Sequence, residues 1–318
     1  FAAILAISFA AASKYVTKSG AAYAYSKAAF GDKIGFYMGV LRYFSASVAW
    51  GVMAVGVIKS TISIFGGNPN KAMNVTLGFL ILMAIITVIN LFGQKVVKYV
   101  MNLATIGKLA ALVLIIIAGV VLLITTGASS HLSEVDQLTQ NGQKIVSTLT
   151  TTTFVMAIVS AFYAFTGFES VASGSEDMKD PEKNLPRAIP LAILIIAVVY
   201  IGVVAVAMIL NPRALMTTKQ VVAIAAIFKN EILRDVILVG ALVSMFGINV
   251  ASSFNAPRIL EAMAREGQMS QALTKRTKNN FPIRTFFISV GLAILIPMAF
   301  EYNMVNLITL SAMVRFLG

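Results

Sequence analysis

SAFYAFTGFESVASGSEDMKDPEKNLPR, residues Ser160–Arg187, is the stretch on which the reading of this chain turns. It begins as an apolar helix, then places Thr166, Gly167 and Glu169 where a smooth lipid-facing span should carry none of them. A helix interrupted at membrane depth leaves carbonyl and N–H groups unpaired, and lipid cannot satisfy them. Such a break survives only where protein, water or a ligand supplies the missing partners, so Tyr163–Glu169 is the expected binding site. The competing reading is a helix with one tolerated glycine and a glutamate paired to a neighbour.

Around this stretch the chain reads as a membrane protein. Apolar residues make up 58% of the 318, and charged residues only 12%. Mean hydropathy is +0.86. A polytopic membrane protein has that balance and a soluble domain of this size does not. With no cysteine there is no disulfide framework and no thiolate metal site. The single histidine, His131, sits in a polar loop, and no cluster of His, Asp and Glu has metal-ligand spacing. No nucleophile motif or phosphate-binding glycine loop is visible, so no enzyme, cofactor or metal is expected.

Nine hydrophobic segments can be drawn: 1–12, 35–58, 73–92, 104–125, 147–171, 189–210, 236–254, 286–300 and 304–317. A full span needs about 20 residues. The last two are shorter, and with only Glu301–Asn303 between them they read as a tight helical hairpin. The first is too short for a signal peptide and lacks its basic start. Because the chain begins and stops inside apolar runs, it is expected to be a fragment, with spans missing before Phe1 and after Gly318. One transmembrane domain over residues 1–318 is the expected organisation.

The net charge of +12 has a topological explanation. If the loop after the first segment faces the cytoplasm, the alternating loops place fifteen Lys and Arg on that side and seven on the other. This is the bias that the positive-inside rule requires, and it leaves no call for nucleic acid as a partner. Arg42, Lys108 and Arg315 fall within spans.

Among these, Lys108 is the one that could do chemistry. It follows Gly107 in NLATIGKLAALVLIIIAG and lies one or two turns from the interface. A buried lysine whose proton affinity a neighbour can move suits proton coupling. Snorkelling to the nearby interface suits it equally. Gly31, Gly35 and Gly39, spaced by four, form an expected packing ridge. Trp50, the only tryptophan, stands mid-span, either in the packing or in a cavity wall. Asn249, Ser252, Ser253 and Asn255 could bridge helices or complete an ion or proton site, bridging being the commoner role.

Three motifs, in order, resemble the amino acid–polyamine–organocation superfamily of amino acid permeases. They are SGAAYAYSKAAFG (Ser19–Gly31), AFTGFES with DMKDPEKNLPRAI (Ala164–Ile189), and NAPRILEAMAREGQMS (Asn255–Ser270). The resemblance covers about the second to tenth of the usual twelve helices. It implies an all-α membrane protein with the leucine-transporter-like inverted-repeat fold, incomplete because the first helix and the C-terminal helices are missing. It also implies that carbonyls near Tyr163, Ala164 and Thr166 hold a substrate ammonium beside Gly167, with Tyr163 and Phe165 walling the pocket. Ala46 and Trp50 correspond to pocket-facing positions. Lys108 resembles a lysine that replaces a bound cation in proton-coupled members, Glu169 a glutamate that senses protons or substrate, and Ser252 and Ser253 lie near that cation position.

The resulting expectation is a multi-pass transporter of the bacterial plasma membrane that imports amino acids by proton symport through alternating access. Its partners would be a small amino acid, protons and the bilayer. An amino acid–metabolite or amino acid–polyamine exchanger of the same fold is the alternative. A channel would need a continuous polar stripe, and a membrane enzyme a catalytic constellation; neither is visible.

Overall fold

In the computed structural model the described residues are 2–18, 20–126, 135, 137–140, 143–144, 149–165, 167, 178–213, 228 and 230–317. Apart from two paired two-residue strands, Thr139–Gln140 and Gln143–Lys144, their regular structure is helical. The α-helices are α1 (Ala2–Ala12), α2 (Ala22–Phe30), α3 (Asp32–Ile64), α4 (Ala72–Leu91) and α5 (Gln94–Thr126). They continue as α6 (Thr151–Phe165), α7 (Pro181–Leu210), α8 (Glu231–Arg265), α9 (Ile283–Ala299) and α10 (Met304–Leu317). Five of them, α3, α4, α5, α7 and α8, are long and apolar enough to cross a membrane. Helices satisfy their own backbone, which is why a chain this apolar resolves into them.

The described residues gather into two compact units. One comprises 1–102, 165–193 and 245–318; the other comprises 103–164 and 194–244. In the first unit α3 is the hub. Its most apolar window is 61% buried, against 11–28% for the other four spans. Val48, Trp50, Ala54 and Val55 of α3 are fully buried with Phe79 of α4 and Phe286 of α9. Lipid tails give no hydrophobic incentive for helices to associate, so close packing of small residues does much of the work. A Cβ at Gly39 would lie 2.7 Å from Met263 Sδ, and one at Gly51 would lie 2.8 Å from the Ala293 carbonyl.

That geometry corrects the expected ridge of three glycines. Gly35 and Gly39 are in α3, but Gly31 lies outside it at φ +85° with open space around it. Gly31 therefore allows the turn between α2 and α3, a left-handed conformation that glycine adopts without steric cost. A short turn joins α9 to α10, each of which packs on α3, and that turn is strained. Glu301 (φ +50°) and Tyr302 (φ +56°) are both left-handed without being glycine. Three contacts hold Tyr302 there: Lys59 Nζ donates to its carbonyl at 2.9 Å, its hydroxyl meets Thr76 Oγ1 at 2.7 Å, and its ring stacks on Phe79.

The second unit has its own apolar centre, with Ile115 of α5, Val199, Val203 and Ala207 of α7, Phe228, and Ile237 of α8. A Cβ at Gly240 of α8 would lie 2.5 Å from Ala111 Cβ of α5, so these helices nearly touch.

Candidate functional site

The decisive stretch is interrupted where the sequence placed the break. Helix α6 ends at Phe165, and Gly167 takes φ +112°, outside any helical conformation. The last four carbonyls of a helix have no intrahelical donor, so partners for those of residues 162–165 come from outside α6. Tyr163 and Ala164 lie in the final turn, with Ala164 exposed. Phe165 is half-buried against Ala6, Leu185, Ile189 and Ile193, a cluster formed by α1 and α7. Thr166 and Glu169 lie outside the described residues.

The other expected site residues are scattered. Ala46 and Trp50 are on α3, and Trp50 is fully buried with its ring 6.2 Å from that of Phe286. Its indole nitrogen has no hydrogen-bond partner among the described residues. Lys108 is half-buried on α5 in the second unit, with no ionic or hydrogen-bonding partner among the described residues. Ser252 and Ser253 are on α8 in the first unit. Ser253 Oγ accepts from Asn90 Nδ2 at 2.9 Å and donates to the Val250 carbonyl at 2.7 Å, a bridge between α4 and α8.

The structure also assembles a polar site that the sequence left unassigned. The first and third motifs, which carried a resemblance but no chemical role, fold against each other. Lys27 of α2 bridges Glu266, just beyond α8, at 2.9 Å and Asp32, at the start of α3, at 3.1 Å. Lys18 takes the other Glu266 oxygen at 2.9 Å. Tyr23 donates to Gln268 Oε1 at 2.9 Å, and Gln268 Nε2 donates to the Asp32 carbonyl at 2.8 Å. Hydrogen bonds from Lys18 and then Lys27 hold the Glu266 carboxyl below its ordinary value, while the bond to Glu266 raises Lys27. Burial pushes the Tyr25 phenol up to about 12.

Deeper in, Glu261 of α8 is 2% exposed and is gripped by Arg276 through both carboxylate oxygens, with Arg265 adding a third contact at 3.1 Å. Arg258 lies with its guanidinium 3.3 Å from the centre of the Phe254 ring and donates to the Phe254 carbonyl. These groups line a cavity of about 480 Å³ together with Tyr15, Thr17 and Ala24. Bidentate arginine–carboxylate pairing of this kind fixes orientation as well as charge. One signal in the sequence pointed here: Glu261 and Arg265, spaced by four within PRILEAMAREG, share one face of α8.

The profile of the amino acid permease family matches residues 1–317. The chain belongs to the amino acid permease family. An uncharacterized transporter of Mycobacterium tuberculosis is 36% identical to this permease over 99% of the chain and 68% of that protein's length. A branched-chain amino acid permease of Bacillus subtilis is 27% identical over 97% of the chain and 68% of its own length. A serine/threonine exchanger of the same organism is 26% identical over 80% of the chain and 55% of its own length. The permease is thus a multi-pass membrane protein of a transporter family, with the all-helical membrane architecture its sequence implied.

Proposed function

We propose that this permease is a secondary active transporter that imports amino acids by proton symport through alternating access, with residues 1–318 forming one transport domain. The observation that carries the reading is the end of α6 at Phe165 followed by Gly167 at φ +112°. Carbonyls released by such a break are acceptors for a substrate ammonium, as in transporters built on discontinuous helices. Tyr163, Ala164, Phe165, Thr166 and Gly167 are assigned to that role. Ala46 and Trp50 join them only through the resemblance. Lys108 is assigned to proton coupling, with Glu169, Ser252 and Ser253 as further candidates. A charged group within a span, without a partner among the described residues, supports the choice of Lys108.

The test is uptake by the full-length protein in proteoliposomes under an imposed pH gradient. Lys108→Ala is expected to abolish proton-driven accumulation while leaving substrate binding measurable. Accumulation equal to that of the unaltered protein rejects the coupling role. Gly167→Val, which forces a branched side chain into a left-handed conformation, is expected to remove substrate binding itself. The likeness to a serine/threonine exchanger favours a second reading, exchange of one amino acid for another. Counterflow that persists without pH dependence selects it. A thermal-shift screen against the amino acids and common polyamines identifies the substrate class.

A further inference from the structure

A second cavity opens in the first unit, between the end of α1 and the start of α7. Its volume is about 500 Å³, within the range of small-molecule sites. The helices meet beside it through Ala6, Phe9, Leu185 and Ile189. Its floor is apolar, built from Ile7, Ala10, Pro186 and Pro190. Its rim carries Lys14, Lys183 and Arg187, with Glu182 as the single acidic group.

All four charged rim residues are exposed. No salt bridge or side-chain hydrogen bond joins Lys14, Lys183 or Arg187 to any other described residue. The groove therefore holds a net charge of +2, directly above an apolar surface. Neighbouring side chains on the same two helices, Ile4 (67% exposed) and Leu191 (56% exposed), are of the kind that face hydrocarbon. Lys14, just past α1, and Lys183 and Arg187, in the first turns of α7, fall on the side that the Lys and Arg distribution assigns to the cytoplasm, where the inner leaflet displays anionic headgroups.

We propose that this groove binds one anionic phospholipid, its phosphodiester on Lys14, Lys183 and Arg187 and the start of its acyl chains on the two prolines and Ile7. Charge complementarity calls for an anion, and the continuous apolar floor calls for a ligand with a hydrocarbon part. A phospholipid is both, whereas a soluble phosphate would leave Ile7, Pro186 and Pro190 uncovered. Basic pockets between transmembrane helices on the inner face bind acidic headgroups for the same reason.

The experiment is native mass spectrometry of the full-length protein titrated with phosphatidylglycerol and, separately, with phosphatidylcholine. The unaltered protein is expected to retain one phosphatidylglycerol in preference to phosphatidylcholine. With about 1 kcal/mol per cation near an anionic surface, the triple variant Lys14→Gln, Lys183→Gln, Arg187→Gln should bind it roughly 150-fold more weakly. A control triple on the same face, Lys33→Gln, Lys95→Gln, Lys278→Gln, removes equal charge and should change binding less than twofold. The charge-preserving set Lys14→Arg, Lys183→Arg, Arg187→Lys should retain binding, which separates loss of charge from loss of fold. Equal weakening by the control triple overturns the proposal in favour of general surface attraction. So does equal retention of the two lipids, and so does displacement of the lipid by millimolar inorganic phosphate, which marks a free-anion site.

Discussion

Between α2 and α8 four of the five lining cations meet carboxylates, Lys18 and Lys27 on Glu266 and Arg265 and Arg276 on Glu261, while Arg258 lies over the Phe254 ring. Between α1 and α7, at the same basic end of the chain, three cations face one glutamate and no ion pair forms among the described residues. In the first arrangement both carboxylates are ion-paired, and the pairs tie helices together. In the second, Lys14, Lys183 and Arg187 have no ion pair among the described residues. Cavities of similar volume, each rimmed with lysine and arginine, thus have opposite chemical meanings. What distinguishes them is the position of glutamates far away in sequence.

The largest expected effect lies in the first cavity. Arg276→Met leaves Glu261, 2% exposed, with Arg265 alone, and should destabilise the protein by about 3 kcal/mol. The fluorescence of Trp50, the only tryptophan, reports the unfolding. Adding Glu261→Leu should recover most of the loss, because the cost is that of a buried charge left without its partner. If the single variant unfolds like the unaltered protein, the cavity is no structural lock.

Glu266→Gln should cost about 1 kcal/mol or less, since its pair with Lys18 is largely exposed. The pH dependence has a defined sign. The depressed Glu266 value gives stabilisation that is complete above the unfolded value of about 4.3 and is lost as pH falls through the folded one. The raised Lys27 value gives stabilisation that is complete below about 10.4 and is lost as pH rises through the folded one. The difference in unfolding midpoint between the unaltered protein and Glu266→Gln should therefore be flat from about pH 5 to 9 and shrink in stronger acid. A slope between pH 5 and 8 would make this network the proton sensor, in place of Lys108.

The smallest expected effect belongs to the second cavity. In phosphatidylcholine, the triple glutamine variant of Lys14, Lys183 and Arg187 should change stability by less than about 0.5 kcal/mol, because no described partner loses a contact. The contrast with Arg276→Met is measured on the same thermal-unfolding scale. A large loss in the triple variant would show that these cations hold the fold, and the two cavities would then be alike.

Much of the architecture was legible beforehand. The α10 limits, 304–317, were read directly from hydropathy, and so was the short turn before it. The interruption near Gly167 was legible because glycine and polar residues are conspicuous inside an apolar run. Helix ends were less so. α5 begins at Gln94, ten residues before its hydrophobic segment, and α8 continues to Arg265, past Pro257. Polar turns that extend a span beyond the hydrocarbon carry no hydropathy signal. Three placements depended on packing that the sequence does not display. Gly31 makes a turn outside the glycine ridge, Trp50 is buried in the core of the first unit, and Ser253 links α8 to Asn90.

From the sequence alone came the membrane setting, the helical class, the family and the fault at the end of α6. The family rests on the resemblance of three motifs; the other three depend on local composition, because lipid obliges every span to satisfy its own backbone. Only the tertiary structure decided which charges are spent and which remain available. Lys27 and Glu266 are 239 residues apart, and Lys14 and Arg187 meet across a groove between two helices. Electrostatic pairing acts over a few ångströms of space, and chain packing alone sets those distances.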